Sequence, residues 1–363
     1  MGMFSKERFL GVDFGTESIK AVEVELRGGR PFLTNYGEAQ LFPPHDPQKP
    51  AVRSFREDMA VRFRVLLEKM KPETKEVCIS MPSFLGLISL IEFPEMTDAE
   101  LEEAVKFEAR KYIPSPLEDV SLSWESIGGS KDGNSDNHEE PKKRKTEVLL
   151  VAALNKDVWQ YQGYVNAVSY KMKLLELETF SIVRAVVGST PGTFLVIDIG
   201  ARAANIILVE DGYVKKSRSI DAGGRDITRS LAESLNISPD RADSLKKSGK
   251  DFLNAKDVAV IFPAIETIVS EATRMADSWK AKRPDGKIDS IILSGGTGRL
   301  TGLVQYFTKK LGIPATLSDP WQMVSYPPIL QPKIESIGAA FSAAIGLALY
   351  GSAEAEKRKK NQS

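Results

Sequence analysis

Apolar runs a few residues long, bounded by glycine and charged residues, alternate along the chain with stretches in which apolar positions recur every three or four residues, which predicts strands interleaved with helices. Leu10 to Val12 reads as a strand broken by Asp13-Phe14-Gly15-Thr16, after which Ile19, Ala21, Val22 and Val24 resume an extended pattern. Phe194 to Ile197 is broken the same way by Asp198-Ile199-Gly200-Ala201, and Ile206 to Val209 resumes. These copies, FLGVDFGTESIKAVEV and FLVIDIGARAANIILV, lie about 185 positions apart, from Asp13 to Asp198. A third apolar strand, Ile291 to Leu293, enters Ser294-Gly295-Gly296-Thr297-Gly298 and then a helical pattern. Hairpins, glycine turns and intervening helices predict an α/β protein of two lobes with mixed sheets.

Between the repeats the pattern changes. Thr97 with Glu100 three residues on forms a capping box; Leu101, Ala104, Val105 and Tyr112 fall on one helical face, and Pro114 follows. Strand runs at Val120–Ile127 and Val148–Ala153 flank a polar stretch from Gly128 to Lys145 that has no apolar residue with which to offset the entropy of ordering, so it is expected to be a mobile loop. The segment from Ile88 to Tyr170 therefore reads as strand, helix, two strands and helix, a compact insertion in the first lobe. The residues from Ser352 to Ser363, polar and with Lys357, Arg358, Lys359 and Lys360 clustered, are expected to be a frayed tail.

Composition narrows the classes. With 49 basic and 49 acidic side chains among 363 residues, the chain lacks the positive excess of a non-specific nucleic-acid binder. A single cysteine, Cys78, cannot form an internal disulfide, and with His45 and His138 it cannot build a Cys/His zinc site, so a reducing cytoplasm is expected. Met1 to Gly11 lacks the apolar core of a secretory signal. Ile337 to Tyr350, rich in Ala and Gly, falls short of a bilayer span and reads as a tightly packed buried helix.

Candidate chemistry centres on the turns. A glycine turn after a strand can aim backbone N–H groups at an anion, and its aspartate can hold a magnesium-bound water or orient an attacking one. One Asp-x-Gly is ordinary turn chemistry. Two at corresponding lobe positions point to a phosphate chain clamped from both sides. Lys20, on the strand after the first turn, is placed to neutralise a terminal phosphate or to lie solvated on the surface. Gly223-Gly224 before the amphipathic run Ile227–Leu235, and Gly295-Gly296-Thr297, permit close approach of a ligand to the backbone. Asp243 and Lys246 share a helix face and can bracket a ribose or adenine, or form a plain ion pair.

These turns resemble the phosphate 1, phosphate 2 and adenosine motifs of the actin-like ATPase superfamily, and the segments Leu177–Val187 and Ile337–Leu349 resemble its two connecting helices. Within it, FPEMTDAELEEAVKFEARKYIPSPLEDV, EVLLVAALNKDV, GGRDITRSLAESLNIS and SGGTGRLTGLVQYFTKKLGIPATLSDPW resemble the PilM family of type IV pilus assembly proteins from about Phe9 to Gly351. The resemblance implies two RNase H-like cores divided as subdomain 1A over residues 1–87, an inserted 1C over 88–173, a return to 1A over 174–189, 2A and 2B over 190–335 with 2B about 223–275, a C-terminal helix of 1A over 336–352 and a disordered tail over 353–363.

The same resemblance implies ATP or ADP with Mg2+. Asp13, Gly15, Thr16, Ser18 and Lys20 match the first phosphate motif, Asp198 and Gly200 the second, and Gly223 and Gly224 the loop near the phosphates. Asp243 and Lys246 match the adenosine-side pair, and Gly295, Gly296 and Thr297 the third motif; Asp13 and Asp198 would be the catalytic pair and would hold the metal through water. Two departures stand out: Ala203 and Ala204, beside Arg202, occupy the stretch where relatives keep a hydroxyl, and Glu17 puts a carboxylate in the first turn.

Family function is implied as well. The chain would be a cytoplasmic scaffold, peripheral to the inner membrane through its partners and without a transmembrane segment of its own. It would grip the N-terminal cytoplasmic peptide of PilN between 1A and 1C, meet other platform and motor proteins, form a homo-oligomeric ring, and hydrolyse ATP at most weakly. An active ATPase or small-molecule kinase, and an FtsA-like membrane-tethered polymer, stay open at this stage.

Overall fold

A computed structural model describes residues 7–41, 55–129, 145–254, 260–283 and 286–362. The stretch 130–144, most of the expected mobile loop, lies outside them.

Two five-stranded sheets repeat one plan. The first holds β1 (Arg8–Phe14), β2 (Ser18–Arg27), β3 (Arg30–Gln40), β4 (Glu76–Met81) and, after the insertion strands β5 (Gly86–Pro94), β6 (Val120–Gly129) and β7 (Lys145–Leu154), β8 (Lys171–Leu177), in the order β3-β2-β1-β4-β8. The second holds β9 (Thr193–Ile199), β10 (Ala204–Glu210), β11 (Tyr213–Ile220), β12 (Ser290–Ser294) and β13 (Ala315–Leu317), in the order β11-β10-β9-β12-β13. In each, an antiparallel meander is extended by parallel strands on its first strand's free edge. The mixed-sheet, two-lobed expectation is met.

Strand parity decides what faces what, because alternate side chains leave opposite faces of a sheet. Leu10, Val12 and Phe14 of β1 join the outer core of the first lobe with Phe63 and Leu66 of α1 (Phe55–Met70), while Leu195, Ile197 and Ile199 of β9 join the outer core of the second lobe with Ile268 and Ala272 of α7 (Pro263–Lys282). Positions of the opposite parity, Val22 and Val24 in β2 and Val196 and Ile207 in β9 and β10, meet in one shared core with Ile182 and Val183 of α4 (Glu178–Val186) and Ala344, Ile345 and Ala348 of α10 (Ser342–Gln362). Two helices are thus sandwiched between the sheets.

That layer needs small residues. A Cβ at Gly11 would strike Ala344 O and Ala348 N, and one at Gly346 would strike Ser181 O, so β1, α10 and α4 approach backbone to backbone. The helical stretch Pro328–Ala355 is apolar and long enough to cross a membrane, yet 72% of its most apolar window is buried inside the molecule, which makes it a core element.

The insertion is a three-stranded antiparallel sheet, β5-β7-β6, covered by α2 (Asp98–Ala109). Thr97 caps that helix as expected: its N–H donates to Glu100 Oε2 at 2.9 Å and its Oγ1 accepts from Glu100 N at 3.4 Å. Leu101, Val105 and Ala109 pack on Phe93, Val148 and Leu150.

Three expectations need correction. Tyr112 lies beyond the last turn of α2 and is exposed, and Ile113 takes the buried place instead. The helix α3 (Asn155–Asn166) belongs to the first lobe, since Tyr161 and Tyr164 pack around Phe14, so the insertion proper spans β5 to β7. Residues 353–362 continue α10 as helix where a frayed tail was expected. Ala353, Glu354, Ala355 and the Lys/Arg cluster are strong helix formers despite their polarity.

Candidate functional site

Asp13 and Asp198 occupy the same place in the two sheets, next to last in β1 and β9. Both have inward parity, so both face the layer between the lobes, and both are buried. Their cross-strand neighbours also correspond: Asp13 lies opposite Lys20 and Ser80, Asp198 opposite Asn205 and Ser294. Ser80 Oγ donates to Asp13 Oδ1 at 2.8 Å. Burial pushes the Asp13 carboxyl above its usual range, against the attraction of Lys20 and the hydrogen bond from Ser80. Burial likewise pushes Asp198 up to about 6, opposed by Ser294, with Asp13 adding repulsion.

A third acid stands with them. Glu178, the first residue of α4, accepts from Ser83 N at 3.1 Å and from Asn205 Nδ2 at 2.9 Å, so it bridges the lobes. Burial, then the charges of Asp13 and Asp198, push its carboxyl up to about 8. Lys20 lowers the pKa of both aspartates and donates to Ser18 Oγ at 2.8 Å, with Glu38 Oε1 at 3.7 Å.

The turns are built tightly. Gly15 would set a Cβ 2.9 Å from Ser18 O, and Gly200, whose N–H donates to Ala203 O at 3.0 Å, would set one 3.1 Å from that oxygen. At the head of α5 (Gly224–Leu235), Gly224 N donates to Gly200 O at 2.9 Å, Gly223 is pressed on Ala201 and Arg202, and a Cβ on Gly224 would strike Thr297 Oγ1. Thr297 Oγ1 reaches Gly200 O at 3.5 Å. Gly295, at φ +80, lies against the Ile199 backbone, a conformation and proximity a side chain would forbid, whereas Gly296 is open. Asp243 and Lys246, on α6 (Pro239–Lys246), form an ion pair at 3.1 Å, and Lys246 Nζ donates to Gly224 O at 3.0 Å and Thr228 Oγ1 at 2.7 Å.

Two groups of predicted residues are thus assembled, Asp13, Ser18 and Lys20 on the first lobe, and Asp198, Gly200, Gly223, Gly224, Asp243, Lys246, Gly295 and Thr297 on the second. Thr16 sits half-buried in the first turn beside exposed Glu17, whose Oε1 meets Arg225 Nε of α5 at 3.3 Å across the cleft. Sequence reasoning missed Glu178, Asn205, Ser80 and Ser294. The signal for the serines was present: each lies on the apolar strand that pairs with an aspartate strand, at the matching step of EVCISM and SIILS. No cluster of three or more His, Cys, Asp or Glu side chains forms a metal cage among the described residues.

Paired sheets of this order, facing one another across two helices with an aspartate turn at the end of each leading strand, define an actin-like ATPase fold. Solved structures agree. The structure named "PilM-PilN type IV pilus biogenesis complex" matches with a TM-score of 0.74 at 24% identity, covering 95% of this chain and 98% of that one. The ethanolamine utilization protein EutJ from Carboxydothermus hydrogenoformans matches with a TM-score of 0.51 at 17% identity, over 96% of this chain and 91% of that one. A family model for the type IV pilus assembly protein PilM covers residues 11–352, and the chain belongs to that family.

Proposed function

We propose that the protein is a cytoplasmic, ATP-binding scaffold of the type IV pilus assembly machinery, held at the inner membrane through its partners. The observation that carries the reading is the match of the PilM family over residues 11–352, insertion included. One solved relative of this fold is a complex of PilM with PilN, and by that likeness the partner is the N-terminal cytoplasmic peptide of PilN, taken up in the groove between the first lobe, assigned as 1A, and the insertion, assigned as 1C. Further platform and motor proteins, and a homo-oligomeric ring, belong to the same reading.

ATP with Mg2+ fits the cleft. Gly224 and Gly295 are buried where any side chain would collide with Thr297 or Ile199, which lets the turns close tightly, while Gly296 is exposed and open to a ligand; the buried carboxyls of Asp13 and Asp198 repel one another, with Lys20 as the cation acting on both. A divalent cation bound through water at Asp13 and Asp198 would offset that repulsion. Lys20, Ser18, Gly15 and Thr16 would hold the phosphates from one side and Gly200, Gly223 and Gly224 from the other. Gly295, Gly296, Thr297, Asp243 and Lys246 would hold the nucleoside. Glu178 would orient water, while Ala203 offers no hydroxyl, so turnover is slow and the nucleotide chiefly structural.

Native mass spectrometry of gently purified protein, with fluorescence anisotropy of a PilN N-terminal peptide, tests this. Retained ATP or ADP and saturable peptide binding are expected. No peptide association at saturating Mg-ATP would sink the scaffold reading.

A further inference from the structure

The insertion touches the second lobe through charge. Lys215 on β11 and Glu147 on β7 pair at 2.5 Å, each side chain only 8% exposed, and Lys215 also lies 3.6 Å from Glu210, which in turn pairs with Arg283 at the end of α7. Strand β5 of the insertion lies along β11. A second polar path reaches the same junction: Ser83, just before β5, shares a 2.6 Å hydrogen bond with Thr179, whose Oγ1 stands 3.5 Å from Ser217 of β11, and the Ser83 N–H is held by Glu178 in the cleft. Toward the first lobe the insertion presents Val151 and Ala153, apolar side chains packed on the core around Phe14 and Tyr161, and Ile88 packs on both that core and the core shared between the lobes.

These contacts differ in kind. Apolar packing is non-directional and tolerates small sliding, the shear motion of domain closure. An ion pair shut away from water does not, because separating it there strands two uncompensated charges. The insertion's own core, Ile91, Phe93, Leu101, Val105, Val148 and Leu150 among its members, is small, so its orientation depends on what it docks against.

We infer that the Lys215–Glu147 pair fastens the insertion to the second lobe, so that closure of the cleft on nucleotide slides the insertion over the first lobe and reshapes the groove between them. Lys215 and Glu147 are positioning residues, paired with each other and, through Lys215, with Glu210, and not with the cleft aspartates. The inference deepens the proposed function and rests on it for the identity of nucleotide and peptide, but the motion can be read without the peptide.

Spin labels on cysteines introduced at Glu68 in the first lobe, Glu103 on α2 and Lys309 on α8 (Leu303–Leu311) of the second lobe give the distances. Native Cys78 is buried, and its thiol is pushed up to about 12, chiefly by that burial, so it escapes labelling. On adding Mg-ATP the 103–309 distance should hold while the 68–103 distance changes. In the Lys215→Met/Glu147→Leu double variant, verified as folded by thermal melt, the 103–309 distribution should broaden, and Lys215→Arg should keep it narrow. Peptide affinity should respond to ATP by about 5-fold or more in the wild type and by less than about 2-fold in the double variant. A 103–309 distance that changes while 68–103 holds, no change in either, or a double variant with undiminished response overturns the inference. Failure of the peptide to bind, with the distances behaving as stated, overturns the groove assignment and leaves the fastening intact.

Discussion

The two aspartate turns share a frame and differ in charge. Asp13 and Asp198 sit at equivalent ends of equivalent strands, each beside a serine from the neighbouring parallel strand. Opposite Asp13, however, stands Lys20, and opposite Asp198 stands Asn205. Lys20 keeps its ammonium in the cleft, whereas Asn205 donates to Glu178 and accepts from Ser219 Oγ at 2.6 Å. One half thus places a cation beside the aspartates, and the other ties the lobes together. Strand parity enforces the same geometry in both halves, and the chemistry differs at the cross-strand position, Lys20 in one and Asn205 in the other.

The sharpest way to break this contrast is to truncate both positions. Lys20→Ala should weaken Mg-ATP binding by about 2 kcal/mol or more, ~30-fold, because it leaves charge in the cleft uncompensated, while Asn205→Ala should change it only a few-fold. Calorimetric titration of both variants decides, and equal losses would mean that the halves do not divide the work.

A medium effect concerns Glu178. Its carboxyl keeps its proton up to about 8 in the fold, while the unfolded chain releases it near 4.5, so the folded state binds more protons across that window and stability declines as pH rises through it. Glu178→Gln keeps an oxygen for the Ser83 and Asn205 donors without the charge. Melts of the nucleotide-free protein at about pH 5.5 and about pH 8.5 should show a smaller drop in Tm for the variant than for the wild type. A drop of the same size in both would remove Glu178 as the source.

The smallest effect should come from Ala203→Thr, which returns a hydroxyl to the second turn. Steady-state turnover of ATP should rise about 10-fold or less, with affinity little changed, as expected for a group that acts mainly on the reacting water. Unaltered turnover would show that the hydroxyl is not what limits hydrolysis.

Much of this architecture was legible in the chain. Alternation and glycine turns exposed both sheets' leading hairpins, and the Thr97 capping box marked α2 with its start. What stayed hidden depended on register. Nothing local distinguishes Glu178 from any acid at a helix start, and Asn205 gains its role only because β10 pairs with β9 in one phase. Placement of α3 was equally hidden, since Tyr161 and Tyr164 would suit either body until their contacts with Phe14 are known. The tail misled for another reason: polarity argues against burial, but Ala, Glu, Lys and Arg in series still favour a helix.

The glycine-lined seam between β1 and α10 has a consequence for biosynthesis. Gly11 rests on Ala344 and Ala348, more than 330 positions later in the sequence, so the central layer cannot close until the chain through Ala348 has left the ribosome. Until then the inner faces of both sheets lie bare, and a nascent chain stalled before Ser342 would present them to chaperones or to aggregation.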